Sequence, residues 1–483
     1  MWLDIQTALV GFFVALFVYY ILKKNRYRLP PGPFAFPIVG NYSVYTNPLY
    51  HREVVKLSKQ YGPVLRLKFG PKTFVFINDY EAAMEALVKR KTDFAGRPSL
   101  RSLEVFSEGS GISFSPYSEP LKINRKVASV VLRHPSSYKM IQFIERMSAE
   151  NKPITAKEYL NKIQFHILFT LCFGQRTDEE IESFIRRVEE INKTFGGGFL
   201  EDIYPIFEKL WPSKNYCLYL KLVNNLLHIF YGYLEEHKSS FDKNNIRDIT
   251  DQLLLSRNEA DDSRDEVVVK VMNDTRILQT VLAIFYAGVD TTRMTMDWFI
   301  CFMSGHPEVQ EKCRQEIDAV IGSRRPSIYD RPNLPFTEAC VYETLRLGNV
   351  AAVGLPHSTL CDTQAGGYDI PKDTTVMINI YAIHLSPKYW KNPEKFDPQR
   401  FLTADGKLEG KQEGWLPFAA GVRSCLGEAM AKTEIVTMCA YLLQRFEFRL
   451  PNGVDPDFTG VCSGISGTEV PTSYKVVLKD RFV

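Results

Sequence analysis

The stretch Phe418-Ala419-Ala420-Gly421-Val422-Arg423-Ser424-Cys425-Leu426-Gly427 decides how the rest of the chain is read. Its fixed positions follow the pattern FxxGxRxCxG, which chance would place in a chain of this length roughly once in ten thousand times. Gly421 and Gly427 permit close backbone approach and dihedrals that side chains disfavour. The apolar spacing beyond them predicts a helix over Glu428–Phe446, so Cys425 lies at a helix start. Free N–H groups and the helix dipole there favour a thiolate, the form of cysteine that ligates metal. Arg423 can pair with an anionic cofactor edge. The other cysteines lack such a context and read as small core residues.

Three segments upstream also carry chemistry. Glu343-Thr344-Leu345-Arg346 lies in a helix predicted over Phe336–Leu347, where residues three apart share a face and can pair. Phe396-Asp397-Pro398-Gln399-Arg400-Phe401 follows it. Ala287-Gly288-Val289-Asp290-Thr291-Thr292 sits inside a long apolar helix predicted over Arg276–Phe302. There the Thr291 hydroxyl can bond back to the Ala287 carbonyl, which loosens the helix ladder and leaves room for water. Asp290 puts an acid beside it, and an acid, a hydroxyl and water can relay protons into a buried site. The plainer alternative is helix packing for the threonines and a solvated charge for Asp290.

Taken together, these segments resemble the haem-thiolate monooxygenases of the cytochrome P-450 superfamily. Cys425 falls in the haem-binding loop, Glu343 and Arg346 in the ExxR helix, and Arg400 in the PERF segment, with Gln399 where Glu is usual. Leu171-Cys172-Phe173-Gly174 and a Pro-rich hinge extend the likeness over nearly the whole chain. The texture of Asn349-Val350-Ala351-Ala352-Val353 and of the hinge is closest to the animal microsomal group of steroid-hydroxylating and drug-metabolising enzymes.

The front of the chain fits that group. Trp2 to Leu22 reads WLDIQTALVGFFVALFVYYIL, with Asp4 its only charge, and as a helix would span about 31 Å of hydrocarbon. Trp2, Tyr19 and Tyr20 stand at its ends as interfacial aromatics do. Lys23, Lys24, Arg26 and Arg28 follow, which predicts a cytosolic flank and an N-terminus across the membrane. A cleaved signal peptide has the opposite order, basic residues first and small residues before the cut. Leu29-Pro30-Pro31-Gly32-Pro33 cannot continue a helix and forms a stiff spacer. The expected organisation is therefore a membrane anchor over 1–24, a Pro-rich hinge over 25–34 and a haem-binding catalytic domain over 35–483.

Composition agrees. The 483 residues carry 59 Lys plus Arg against 56 Asp plus Glu, a net +3, which is a poor footprint for nucleic acid. A hydrophobic share of 45% and a charged share of 24% exclude a disordered, collagenous or polytopic membrane chain. Nine cysteines without a CxxC pair argue against a disulfide scaffold or zinc ribbon and fit a reducing compartment. Neither GxGxxG nor GxxxxGKS/T occurs, so no dinucleotide or triphosphate cradle is expected. The patterning predicts a mainly α fold: helices also over Pro307–Ile321, a small hairpin from Val64–Phe69 and Thr73–Ile77, and short strands near Thr375–Ile380 and Tyr474–Leu478. The acidic run Glu259–Glu266 and the Gly196-Gly197-Gly198 stretch read as loops.

The resemblance implies the remaining assignments. The fold would be the cytochrome P-450 fold, a helical body with small β-sheets, behind a single transmembrane helix at the endoplasmic reticulum with the catalytic domain cytosolic. Haem b would be ligated by Cys425, within the loop that includes Phe418 and Gly421. Its propionates would meet Arg97, Arg125, His357 and Arg423. Glu343, Arg346 and Arg400 would form a structural triad. Thr291 and Asp290 would deliver protons during activation of dioxygen. Tyr286, Ala287, Val350, Val353, Gly354 and Ile465 would line the substrate pocket, with Tyr286 narrowing it, and Ser99–Pro120 would be a loop over the haem. That mostly apolar lining suits a steroid, fatty acid or xenobiotic. The implied electron source is an NADPH-dependent flavoprotein reductase, with cytochrome b5 a second partner. Lys122, Arg125, Lys126, Arg133 and Lys432 form a candidate basic docking face.

One departure is clear. The family usually has Trp four residues before the Arg of the haem-adjacent helix, and this chain has Leu121 before Arg125. The missing indole N–H predicts weaker haem retention. Two other readings compete: a haem-thiolate isomerase or dehydratase that needs no electrons, and a non-enzymatic haem binder or lipid carrier. The intact Asp290–Thr291 pair argues against both.

Overall fold

The computed structural model describes residue 11 and residues 27–132, 153–196, 198–410, 412–452, 454–455, 457–462 and 467–481. The expected anchor, apart from Gly11, lies outside the described residues, as do Arg133, Gly197 and Ile465. Among the described residues no helix is long and apolar enough to cross a membrane.

The body is organised around one helix, Asp274–Gly305, of 32 residues. Asn273 starts it, its side chain accepting from the Arg276 N–H at 2.9 Å, as a cap should. Its C-terminal half is buried almost without interruption from Thr292 to Ser304, the pattern of a core helix rather than a surface one. The helix Ala156–Phe173 lies against it, and Gly288 sets how closely: a methyl there would stand 3.0 Å from Leu168 Cδ1. Pro335–Gly348, Pro307–Val320 and Glu428–Arg445 complete the helical core. These match the predicted helices to within three residues. Phe446, expected to close the last helix, instead begins a strand, Phe446–Arg449, paired antiparallel with Val477–Asp480.

The expected hairpin forms as Val64–Phe69 and Lys72–Ile77, with Val64 opposite Ile77, and Gly70 at the turn takes φ +59°. Its second strand pairs in parallel with Thr375–Ile378, and that strand pairs antiparallel with His357–Ser358. The resulting four-stranded sheet thus carries His357 on a two-residue edge strand. Thr375–Ile378 ends earlier than expected because Asn379 caps a short helix, Ile380–His384.

Two expected loops are partly helical. Glu259–Asp262 is the last turn of Ile249–Asp262, and Glu266 opens Glu266–Val271. Arg264, at φ +59°, makes the break, and the Asp265 carboxylate caps the next helix through the Val268 N–H. Within Ser99–Pro120, Arg101–Ser107 forms a helix. Its start is tied by a buried carboxylate: Asp202 accepts from the Ser102 N–H at 2.9 Å and hydroxyl at 2.6 Å. Such tertiary anchoring outweighs weak local propensity.

Candidate active site

The cysteine loop is shaped by two backbone demands. Gly421, at φ +73°, faces the Leu87 carbonyl so closely that a Cβ would lie 1.8 Å from its oxygen. Only glycine fits there. Ala419 also takes a positive φ of 54°. A 3₁₀ turn over Gly421–Arg423 then brings the Cys425 N–H onto the Phe418 carbonyl at 2.9 Å. Lys432, one turn into the following helix, lies over the Phe418, Trp415 and Tyr342 rings and pairs with Glu428 at 2.7 Å. It therefore packs the loop and does not belong to an exposed docking face. Cys425 retains exposed surface, yet the protein around it desolvates the sulfur and pushes the thiol up. The Gly427 N–H pulls the other way, Glu428 raises it again, and Arg125 lowers it. Burial wins over the helix start, so the expected thiolate needs a further positive charge, which a ligated metal supplies.

Above this loop the structure gathers cations. Arg423 donates from Nε to the Ala95 carbonyl and from Nη2 to the Ser115 carbonyl, both at 2.8 Å. Arg97 donates to the Ser113 carbonyl at 2.9 Å and the Pro356 carbonyl at 2.8 Å. Arg125 reaches the Ser424 carbonyl at 2.7 Å, beside Cys425. His357 Nδ1 lies 2.8 Å from the Phe94 carbonyl, an oxygen that can only accept, so Nδ1 carries the proton. Burial, with Arg423 and Arg125 nearby, lowers the Arg97 pKa to about 9. Burial and Arg125 lower Arg423 to about 10, and burial and Arg97 lower His357 to about 3. No carboxylate of the described residues pairs with any of the three arginines. Three mutually repelling guanidinia, Arg423 buried and Arg97 and Arg125 half-buried, held only by neutral carbonyls among the described residues, are the donor set for a multiply anionic ligand. A haem with two propionates and a thiolate-ligated iron fits that set and the thiol below it.

On the central helix, Ala287 and Thr291, one turn apart, are exposed while the helix beyond them is buried. The Thr291 hydroxyl donates to the Ala287 carbonyl at 2.5 Å. The helix nonetheless runs through this turn without a bulge, contrary to the expected widening. Asp290 lies 3.5 Å from Arg293. Tyr286 stands edge-on to Phe106 at 5.0 Å, its hydroxyl buried and unpartnered. Val350 and Val353 are buried, and Gly354 takes φ +56°. The Ala352 N–H bonds the Gly467 carbonyl at 3.1 Å, which ties this segment to the C-terminal turn.

Glu343, Arg346 and Arg400 do meet. Arg346 and Glu343, both fully buried, form a bidentate pair at 2.7 and 2.8 Å. Arg400 approaches the same carboxylate at 3.3 Å, and the Asp397 N–H donates to it at 2.9 Å. Of the proposed docking cations, Lys122 and Lys126 are exposed, whereas Arg125 is engaged by the cysteine loop. Motif reading missed Gln164 and Glu434, which join the two halves of the site. Glu434 carried a signal, a charge on the buried side of a predicted helix, but it belongs to no quoted motif.

Comparison with known proteins agrees with this geometry. The cytochrome P-450 family model matches residues 30–476. The steroid 17-alpha-hydroxylase/17,20 lyase of Ictalurus punctatus is 32% identical over 477 residues, covering 94% of this chain and 91% of that protein. Human cytochrome P-450 1A1 is 33% identical over 481 residues, covering 92% of each. The steroid 17-alpha-hydroxylase/17,20 lyase of Squalus acanthias is 32% identical, covering 95% and 93%. With a family match spanning nearly its whole length and relatives aligned end to end, the chain belongs to the cytochrome P-450 family and is a haem-thiolate monooxygenase.

Proposed function

We propose that Cys425 ligates haem iron through its thiolate and that Arg97, Arg125, His357 and Arg423 hold the propionates. The observation that carries this reading is the cation cluster beside the Cys425 loop, which no carboxylate of the described residues pairs. Bound there, haem supplies the oxygen-activating redox chemistry, which thiolate ligation favours. The protein's own work is positional. Arg125, anchored on the Ser424 carbonyl, would also hold a propionate. His357, its Nδ1 proton committed to Phe94, would hold a second proton on Nε2 beside a propionate and donate it there. Asp290 exchanges protons with solvent, and the Thr291 hydroxyl, oriented by its hydrogen bond to Ala287, passes its own proton into the site as it accepts the next one.

The substrate is a lipophilic small molecule of the steroid, fatty-acid or xenobiotic kind, held against Ala287, Tyr286, Val350, Val353, Gly354 and Ile465. The name of one relative, a steroid 17-alpha-hydroxylase/17,20 lyase, favours the steroid member of that class. Electrons come from NADPH through a membrane-bound flavoprotein reductase, with cytochrome b5 as a second donor. Residues 1–24 anchor the protein in the endoplasmic reticulum, 25–34 form the hinge, and 35–483 form the cytosolic catalytic domain. An apolar surface supports membrane contact: Phe34, Phe36 and Ile38 are exposed, as are Ile206, Leu210 and Trp211, and the Tyr204 hydroxyl joins the two segments at the Ile38 carbonyl, 2.7 Å away.

Reduced carbon-monoxide difference spectroscopy tests the ligand. Cys425→Ser should abolish the thiolate spectrum, and its survival would sink the assignment. NADPH consumption with reductase and a lipophile panel tests the reaction. Product formed without NADPH would move the reading to an isomerase.

A further inference from the structure

The helix that follows Cys425 turns one carboxyl into the protein. Glu434 is 3% exposed, and no cation of the described residues pairs with it. Its one side-chain partner among the described residues is Gln164, 1% exposed, on the helix Ala156–Phe173. The Gln164 amide nitrogen donates to Glu434 Oε1 at 3.0 Å and to the Gly288 carbonyl at 3.2 Å. Both amide protons are thereby used, while the amide oxygen is buried and accepts nothing.

An ionised carboxylate cannot satisfy that oxygen, because it only accepts. A protonated carboxyl can. Its O–H can donate to Gln164 Oε1 while Gln164 Nε2 donates to its other oxygen at 3.0 Å, which would close an acid–amide ring. Burial acts in the same direction: it pushes Glu434 up to about 7, opposed only by the Gln164 bond, with no charged side chain bearing on it. The third member, Gly288, belongs to the Ala287–Thr291 turn. Its bare Cα lets Leu168, one turn beyond Gln164, pack against that turn.

We propose that Glu434 is a positioning residue that works as a neutral acid: ringed with the Gln164 amide, it fixes the Gly288 carbonyl and so holds the Asp290–Thr291 turn in register with the helix that starts beside Cys425. The inference rests on the proton-delivery reading of Asp290 and Thr291. It assigns Glu434 and Gln164 no contact with substrate or haem; they act through the central helix.

The holoenzyme tests it with Glu434→Gln, which keeps shape and neutrality, and Gln164→Leu, which removes the bridge. Below neutral pH, infrared difference spectroscopy should show a buried carboxylic-acid carbonyl band in the natural protein that Glu434→Gln lacks. Amide exchange over residues 287–292 should quicken about fivefold in Gln164→Leu, the equilibrium weight of one neutral hydrogen bond. Peroxide released per NADPH, with reductase and no added substrate, should rise in the same variant. Glu434→Gln should match the natural protein in exchange and in peroxide. A missing infrared band, unchanged exchange in Gln164→Leu, or a Glu434→Gln that behaves like Gln164→Leu would each overturn the proposal. Gln164→Met, of similar length, replaces Gln164→Leu if that variant does not fold. The carbon-monoxide spectrum is recorded throughout: its absence from the natural protein would defeat the haem-thiolate reading, not this one.

Discussion

Two arginine clusters stand in this protein, each with one buried member, and they are built on opposite terms. At the first, Arg346 and Arg400 share the Glu343 carboxylate, and their remaining N–H groups reach the carbonyls of His384, Lys391, Asn392 and Lys395. At the second, Arg97, Arg125 and Arg423 share no carboxylate among the described residues. The first is complete within the chain. The second lowers its own arginines, Arg97 to about 9 and Arg423 to about 10, because burial and mutual repulsion go unanswered. The difference separates an arginine that holds the fold from one that waits for a ligand, and it does so from charge balance alone.

The contrast is sharpest if each cluster is damaged in turn. Arg346→Met would strand the Glu343 carboxylate with only the more distant Arg400, and breaking a buried pair costs about 3–5 kcal/mol. We expect the yield of folded protein and the denaturant midpoint to fall alike with and without haem. A variant that unfolds normally but loses haem would break the distinction.

Arg125→Met is the matched case. The chain alone loses one bond to a carbonyl and a repelling charge, so its midpoint should change little. Haem transfer to an acceptor protein should speed up roughly ten- to hundredfold, the weight of a charge-assisted bond of about 1.5–3 kcal/mol. Destabilisation without faster transfer would place Arg125 with the first class.

His357 tests the second cluster by proton count. Without an anion its pKa sits at about 3, so it is neutral near pH 7. A propionate on Nε2 raises that pKa, and the loaded protein then holds a proton the bare one lacks. Affinity for haem must therefore fall as pH rises across the window above 3, and calorimetry in buffers of different ionisation enthalpy should register proton uptake. His357→Asn should reduce both the uptake and the pH slope. Binding with no proton change would mean that Nε2 does not face a propionate.

Much of this was legible in the sequence, and what was not has a physical reason. Cys425, Glu343, Arg346 and Arg400 lie in short motifs, and local spacing was enough to find them. The helices Asp274–Gly305 and Glu428–Arg445 announced themselves by apolar period. The helix Arg101–Ser107 did not, because it is fastened by Asp202, a hundred residues away in the chain. The Gln164–Glu434 bond spans 270 positions and joins residues outside every motif. The thiol of Cys425 could not be judged from its place before a helix, since the outcome turned on desolvation by neighbours from elsewhere in the chain.

The smallest expected effect concerns what the second cluster lacks. Leu121 is fully buried one turn before Arg125, where an indole N–H would add a neutral donor to three cationic ones. Leu121→Trp should slow haem loss about fivefold, since such a bond nets about 1 kcal/mol. The larger ring must also be fitted into a packed site, at a cost of about 1–3 kcal/mol to the chain itself. The two terms fall on different observables: packing strain lowers the unfolding midpoint of the chain without haem, while the added donor slows transfer of haem out of it. Tyr117 bears on the result, because its ring lies 5.7 Å from the Arg423 guanidinium and 5.2 Å from the Lys122 ammonium. If Leu121→Trp leaves the transfer rate unchanged while Tyr117→Phe raises it, the tyrosine hydroxyl already fills the place of the missing indole. If neither moves it, the cationic donors alone set haem retention, and the departure at Leu121 carries no cost.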